Sequence, residues 1–324
     1  MKNRLAIVIP AYKITFLSSA LQSIADQTCQ DFTLYVGDDC SPDDIKSVVD
    51  KYTGKTHLVY HRFEENLGGT NLVAQWERCI ALTEDEEYIW LFSDDDILES
   101  CCVEELFKQI DETSGKYDLY HFDVNEINER GAVVARRPAY PSVFNAYDFY
   151  KGKVSVRYRS YVVENVFSRK VYQASGGFKK FDLAWGSDVA TWCIFCGDKG
   201  MCKVPNGRVN WRRSSENITP NKTKRIAERK LMADCAFMAW AYEYFKEQKD
   251  IYWVNRKLFI TKMQAAKNIV SKSIRDEAFI TFFHTHGHHY DKPLVYIQAV
   301  IPSKLSSGLY KLYRFLARES HKDY

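Results

Sequence analysis

No stretch of this 324-residue chain is long and apolar enough to span a bilayer. The apolar run Leu5-Ala6-Ile7-Val8-Ile9 is too short for the core of a secretory signal and ends at Pro10. A cytoplasmic protein is therefore expected. No Gly-Lys-Ser/Thr follows the glycine pair Gly68-Gly69, which excludes a P-loop. Cys193 and Cys196 form a lone C-x-x-C with no second pair at matching spacing, so a zinc ribbon is excluded. The nine cysteines are expected to be reduced thiols packing as small hydrophobes. Charge of one sign is also lacking: the net +3 is too small to imply nucleic-acid binding. There is no internal repeat and no low-complexity linker. What the chain does have is 46 % hydrophobic residues, enough for a real core. Its 21 Tyr, 19 Phe and 7 Trp suit sugar or base stacking and ordinary core packing alike.

The first half alternates regularly. Strands are expected at Arg4–Ile9, Phe32–Val36, His57–Phe63 and Tyr88–Phe92, and helices at Phe16–Ala25, Asp43–Tyr52, Asn71–Leu82 and Val103–Ile110. Continuous apolar strands between amphipathic helices imply an α/β fold, with a mostly parallel sheet covered on both faces. Right-handed crossovers then bring these strands' carboxyl ends to one edge. Another strand is expected at Tyr117–Val124, with Gly131–Arg136 pairing near it. Val189–Cys196 reads as helix and Lys203–Trp211 as extended. Residues 138 to 165 have no clear period and are assigned to an acceptor groove. From about Thr223 the pattern turns helical, which sets the expected division into 1–220 (halves 1–115 and 116–220) and a C-terminal helical region, 221–324.

Four features fall on the shared edge. Pro10-Ala11-Tyr12 ends the first strand, Gly37-Asp38-Asp39-Cys40-Ser41 the second, Asn66-Leu67-Gly68-Gly69 the third, and Ser93-Asp94-Asp95-Asp96 the fourth. Open α/β sheets bind ligands at this edge. Three adjacent carboxylates raise one another's pKa and call for a counter-charge. A hard divalent cation such as Mg or Mn is the simplest one. A solvated turn and helix cap is the plainer alternative. Asp38-Asp39 likewise reads as turn chemistry or as a site. Asp43 or Asp44 is the expected start of the following helix. Gly176-Gly177 reads as a tight turn at positive φ, and Ser187-Asp188 as an N-cap or a functional acid.

With those motifs the sequence resembles the family-2 glycosyltransferases of the GT-A fold. The resembling text is "AIVIPAYK", "ALQSIADQTCQDFTLYVGDDCSPDD", "ENLGG", "YIWLFSDDDIL" and, later, "SGGFKKFDLAWGSD". The resemblance covers roughly residues 4 to 215. It implies an inverting transfer of a sugar from a nucleotide-diphospho-sugar, a UDP-sugar first, to a hydroxyl of a glycan or lipid-linked glycan, in cell-surface polysaccharide synthesis. Pro10, Ala11, Tyr12, Asn66 and Gly68 would line the nucleotide pocket. Asp39 would accept a hydrogen bond from the base and Asp94 would face the ribose. Asp95, with Asp96, would bind Mn or Mg, and Asp188 would be the general base.

Three departures stand out. Ser93 replaces the first acid of the family's metal motif, Ser187 replaces one of an acidic pair, and Trp211-Arg212-Arg213 stands where some members carry a His. Arg212 or Arg213 could meet a diphosphate or simply be solvated. Trp185 could stack on a sugar or fill core. In the tail, Leu305, Leu309, Leu312 and Leu316 share a helical face flanked by Lys and Arg. Such a helix suits peripheral contact with the inner face of the cell membrane, or docking on the chain's own core or on a second subunit of a homo-oligomer. A nucleotidyltransferase and a transferase-like nucleotide binder without turnover are the rival readings.

Overall fold

The computed structural model describes residues 3–136, 139–214 and 223–300. The chain forms two compact units: Met1–Lys180 with Ser187–Asn217, and Phe181–Gly186 with Ile218–Tyr324. The expected division near residue 220 keeps Phe181–Gly186 in the first part, whereas these residues group with the second unit.

The first unit is built on one sheet. Its strands are β1 (Leu5–Ala11), β2 (Phe32–Asp38), β3 (His57–Arg62), β4 (Tyr88–Leu91), β5 (Ile97–Leu98), β6 (Leu119–Ile127), β7 (Val133–Arg136), β8 (Val143–Phe144), β9 (Asn165–Ser168) and β10 (Met201–Arg212). Their order is β3-β2-β1-β4-β9-β6-β10-β5, with β7 on β6 and β8 on β10. β1 to β4 pair parallel, as expected, and β10 runs parallel to β6. β9 is antiparallel to both β4 and β6 and joins the two parallel halves. Sequence alone did not predict β9, which is four residues long, wholly buried and begins where the aperiodic stretch 138 to 165 ends.

Helices α1 (Leu17–Ala25), α2 (Ile45–Val49), α3 (Leu72–Ile80), α4 (Cys102–Glu112), α5 (Ala146–Val154), α6 (Arg169–Ala174) and α7 (Ser187–Cys196) surround the sheet. Asp44 caps α2 and Asn71 caps α3, each accepting from a backbone amide three residues on. Leu5, Ile7 and Ile9 pack with Leu17, Leu21, Ile24, Leu106 and Ile110 in one core. α3 lies close to β2. A Cβ on Gly37 would meet Cys79 Sγ at 2.5 Å, so the strand must be bare there. Trp90 is fully buried, stacks on Phe122 at 4.9 Å and donates its indole N–H to the Val163 carbonyl at 2.7 Å. All nine cysteines are free thiols.

The second unit contains α8 (Lys224–Tyr244), α9 (Ile251–Ala266), α10 (Lys272–His286) and α11 (Lys292–Val300). Phe259 stacks on Phe282 at 4.3 Å in its core. The segment Phe181–Gly186 is held by side chains of α8: Arg229 Nε donates to Asp182 at 2.8 Å, and Trp185 Nε1 to Asp234 at 3.0 Å. Lys230 and Lys262 lie over the Trp185 ring, at 4.4 and 5.3 Å from its centre. Trp185 is thus a polar anchor as much as an apolar one. Among the described residues no helix is long and apolar enough to cross a membrane. The amphipathic stripe from Leu305 to Leu316 lies outside the described residues.

Trp90→Ala should lower stability by about 3–5 kcal/mol, because the cavity and the unpaired Val163 carbonyl add to the lost burial. Urea unfolding measures this. A loss under about 1 kcal/mol would show that the Trp90–Phe122 stack is not central to the core.

Candidate active site

The acidic run begins two residues after β4 ends, and β5 follows it at once. β5 pairs antiparallel with the end of β10, Leu98 opposite Val209 and Ile97 opposite Asn210. This pairing carries Arg212 to the run. Asp94, Asp95 and Asp96 are only 4, 6 and 1 % exposed, so a solvated turn is ruled out. Asp94 Oδ2 accepts from the amides of Tyr12 at 2.9 Å and Lys13 at 2.8 Å, tying the turn after β1 to the run. Lys13 Nζ lies 2.6 Å from Asp95 Oδ2 and 3.3 Å from Asp94 Oδ1. Burial opposes the Lys13 charge, yet Asp94 and Asp95 outweigh it and hold the ammonium's pKa above its ordinary value. Burial raises the Asp94 pKa, against Lys13 and the two amides.

Ser93 has one hydroxyl proton and faces two carboxylates, Asp96 Oδ2 at 2.6 Å and Asp95 Oδ1 at 3.0 Å. Burial first, then the Asp95 charge, pushes Asp96 well above the ordinary carboxylate range. The other Asp96 oxygen accepts from the Arg212 amide at 2.6 Å. Asp96 caps no helix, since α4 starts only at Cys102. Arg212 is neither solvated nor open to a diphosphate. It is 2 % exposed and donates to the carbonyls of Asp95, Asn128 and Glu129. Extended structure runs through residue 212, one residue beyond the expected end, and so turns this side chain inward.

A second knot lies beside it, at the end of β2. Asp39 Oδ1 accepts from the Leu67 amide at 2.8 Å and from the Arg78 guanidinium; Oδ2 accepts from Asn66 Nδ2 and the Gly68 amide, both at 2.9 Å. A Cβ on Gly68 would sit 2.6 Å from that carboxylate, so glycine is what lets the loop close on it. Both Asp39 oxygens are already engaged, and a nucleotide base would have to share or displace one of these donors. Asp38 is equally sealed. It accepts from the Ser41 amide at 2.8 Å, Tyr60 Oη at 2.7 Å and Arg62 at 2.6 Å, and so performs the turn role as well. Ala11 is buried, Pro10 half-buried and Tyr12 43 % exposed. Lys13, Arg62 and Arg78 were not among the residues picked out from sequence. Lys13 directly follows Tyr12, which was a signal; Arg78, on the last turn of α3, offered none.

Asp188 sits in the first turn of α7, after the positive-φ glycines Gly176 and Gly177 (φ 70° and 89°) that were expected to turn the chain. It is half-buried, and burial raises its pKa while Lys153 pulls it back. Among the described residues it shares no hydrogen bond or ion pair with either acidic knot. A line of contacts connects them all the same. Trp192 of α7 donates to the Tyr161 carbonyl at 3.3 Å, Tyr161 stacks on Trp211 at 4.2 Å, and the next residue is Arg212.

Residues 6–170, just over half of the chain, match the family model described as Glycosyl transferase family 2. The chain belongs to that family. It is 27 % identical over 132 residues to Glycosyltransferase GlyG of Streptococcus pneumoniae serotype 4, covering 40 % of this chain and 43 % of GlyG. It is 28 % identical over 132 residues to the poly(ribitol-phosphate) beta-N-acetylglucosaminyltransferase TarS of Staphylococcus aureus, covering 40 % of this chain and 21 % of TarS. These matches span less than half of either relative's length. Among solved structures, S. aureus TarS 1–349 superposes with a TM-score of 0.65 at 14 % identity, over 91 % of this chain and 86 % of that one. The mannosyltransferase PcManGT of Pyrobaculum calidifontis, in complex with GDP-Man and Mn2+, gives 0.52 at 12 % identity, over 97 % and 88 %. At these identities the likeness is one of fold. The expected α/β architecture, a mostly parallel sheet with surrounding helices and C-terminal helices, is borne out.

Arg78→Ala should destabilise the protein by about 3 kcal/mol, because it strips a buried carboxylate of its cation. Urea unfolding at pH 7 checks this, and a shift within about 0.5 kcal/mol would show that the Asp39 knot holds without it.

Proposed function

We propose that this protein is an inverting glycosyltransferase that moves a sugar from a nucleotide-diphospho-sugar to a hydroxyl of a glycan acceptor. The observation that carries the reading is the convergence of Asp94 and Asp95 on one ammonium, at 3.3 and 2.6 Å, at the carboxyl end of β4 beside the β1 turn. Two buried carboxylates that share a cationic group suit a divalent cation, and their hard oxygens suit Mg or Mn. Among the described residues no three His, Cys, Asp or Glu side chains gather as a ligand set. A cation held by Asp95 would therefore complete its shell with diphosphate oxygens and water, as Mg commonly does. Bound there, it supplies neutralisation of the charge on the departing diphosphate.

The chain's own residues account for the rest. The exposed Tyr12 offers its ring to the base, and Pro10, Ala11, Asn66 and Gly68 are the proposed lining of the nucleotide pocket. Asp94 faces the ribose, and Asp39 orders the loop that closes the base pocket. The acceptor oxygen attacks the anomeric carbon opposite the leaving group, and its proton passes to Asp188. The bond to the diphosphate breaks with its electron pair leaving on oxygen, so no carboxylate nucleophile is required. The raised pKa of Asp188 suits a base. TarS has been crystallised with UDP-GlcNAc, which makes UDP-sugars the first donors to test; the PcManGT complex makes manganese the first metal. TarS is named for its action on poly(ribitol-phosphate), which makes that polymer the first acceptor to test. A cytoplasmic location at the inner membrane face fits such an acceptor.

Asp95→Asn should abolish Mn-stimulated release of nucleoside diphosphate while the melting temperature holds. Asp188→Asn should keep donor binding by calorimetry and lose transfer by about 10²- to 10⁴-fold. Normal transfer by Asp188→Asn would remove it as the base.

The acid limb of kcat/KM should fall at a pKa above the ordinary carboxylate value, since transfer needs Asp188 deprotonated. The stability effect has the opposite sign. The folded state holds this proton more tightly than the unfolded chain, so the Asp188 contribution declines as pH rises through its folded pKa. Asp188→Asn should therefore unfold at higher urea than the parent at pH 7.5, and a lower midpoint would contradict the assignment of burial as the cause.

A further inference from the structure

We infer that Lys13 is the built-in counter-cation of the acidic run, and that it competes with the divalent metal for Asp95 until donor diphosphate draws it away. This rests on the reading of Asp95 as the metal-holding carboxylate. The site brings three nearly sealed carboxylates together. The groups donating to them include one hydroxyl, from Ser93, and three backbone amides, from Tyr12, Lys13 and Arg212. Lys13 Nζ is the side-chain cation that meets both Asp94 and Asp95. Arg212, the other cation nearby, turns its guanidinium to carbonyl oxygens.

The anchoring of Lys13 separates backbone from side chain. Its amide and that of Tyr12 hold Asp94 Oδ2, so the turn is fixed whatever the ammonium does. The ammonium ends a flexible four-carbon stem and the side chain keeps 29 % exposure, so it can leave without disturbing the turn. A divalent cation at Asp95 Oδ2 would meet Lys13 Nζ head on, because that oxygen already holds the ammonium at 2.6 Å. Two cations cannot share that oxygen without strong repulsion. The ammonium must move, and a diphosphate arriving at the same edge is the anion that would receive it. Metal and nucleotide then favour each other's binding through Lys13, and by linkage the effect is reciprocal.

Calorimetric titration of Mn2+ into the full chain, with and without UDP, tests this. The parent should bind Mn2+ weakly alone and at least about ten-fold more tightly with UDP present. Lys13→Gln should bind Mn2+ alone at least about ten-fold more tightly than the parent and gain less from UDP. Lys13→Arg, which keeps the charge, should resemble the parent. Melting curves confirm folding, and Lys13→Met serves if the Gln variant does not fold. Lys13→Gln binding Mn2+ no more tightly than the parent overturns the competition, provided Asp95→Asn loses Mn2+. If Asp95→Asn binds Mn2+ as well as the parent does, the metal reading itself fails.

Discussion

A carboxylate cut off from water must be given donors, and the carboxyl edge of this sheet is organised around that demand. Asp38, Asp39, Asp94, Asp95 and Asp96 are all buried there. Their partners come from the turn after β1, the loops after β2 and β3, the helix α3 and the end of β10. The partners come from several segments, so satisfying the charges also fixes the loops. An apolar edge would fold with less desolvation cost. That the chain gathers five acids at the place where α/β sheets bind ligands is where fold and function meet.

The edge divides the work between two kinds of donor. Asp94 and Asp39 each accept from two backbone amides, which come with the turns and cannot swing away. Asp95 faces Lys13 and Ser93, whose side chains can turn. The carboxylate proposed to hold the metal is thus the one with the most replaceable partners. Rigid elements carry the frame, and the adaptable contacts gather at Asp95.

Much of this was legible in the residues. Buried parallel strands are written as unbroken apolar runs, and Leu5–Ile9, Phe32–Val36 and Tyr88–Phe92 named the central sheet and its carboxyl edge. Short strands carry no such signal. β5 is two residues long and carries no pattern of its own, yet it brings β10 and Arg212 to the acidic run. β9 escaped for the same reason. The basic partners escaped for another: Lys13 and Arg78 reach their carboxylates along flexible stems, and no sequence spacing records where such a stem points. Arg212 was open to two readings, and its burial fits neither.

The six residues Phe181–Gly186 carry left-handed backbone at Leu183, Ala184 and Gly186 (φ 57°, 55° and 89°) and are fastened to α8 through Asp182 and Trp185. They belong to the helical unit but are encoded in the middle of the other one, directly before Ser187 and Asp188. The two units are therefore interleaved in the gene and cannot be traded as cassettes. A chimaera that imported a foreign helical unit after residue 217 would keep a loop shaped for α8 and supply the wrong helix to hold it. Diversification in such a lineage is constrained to change the loop and the helices together, or neither.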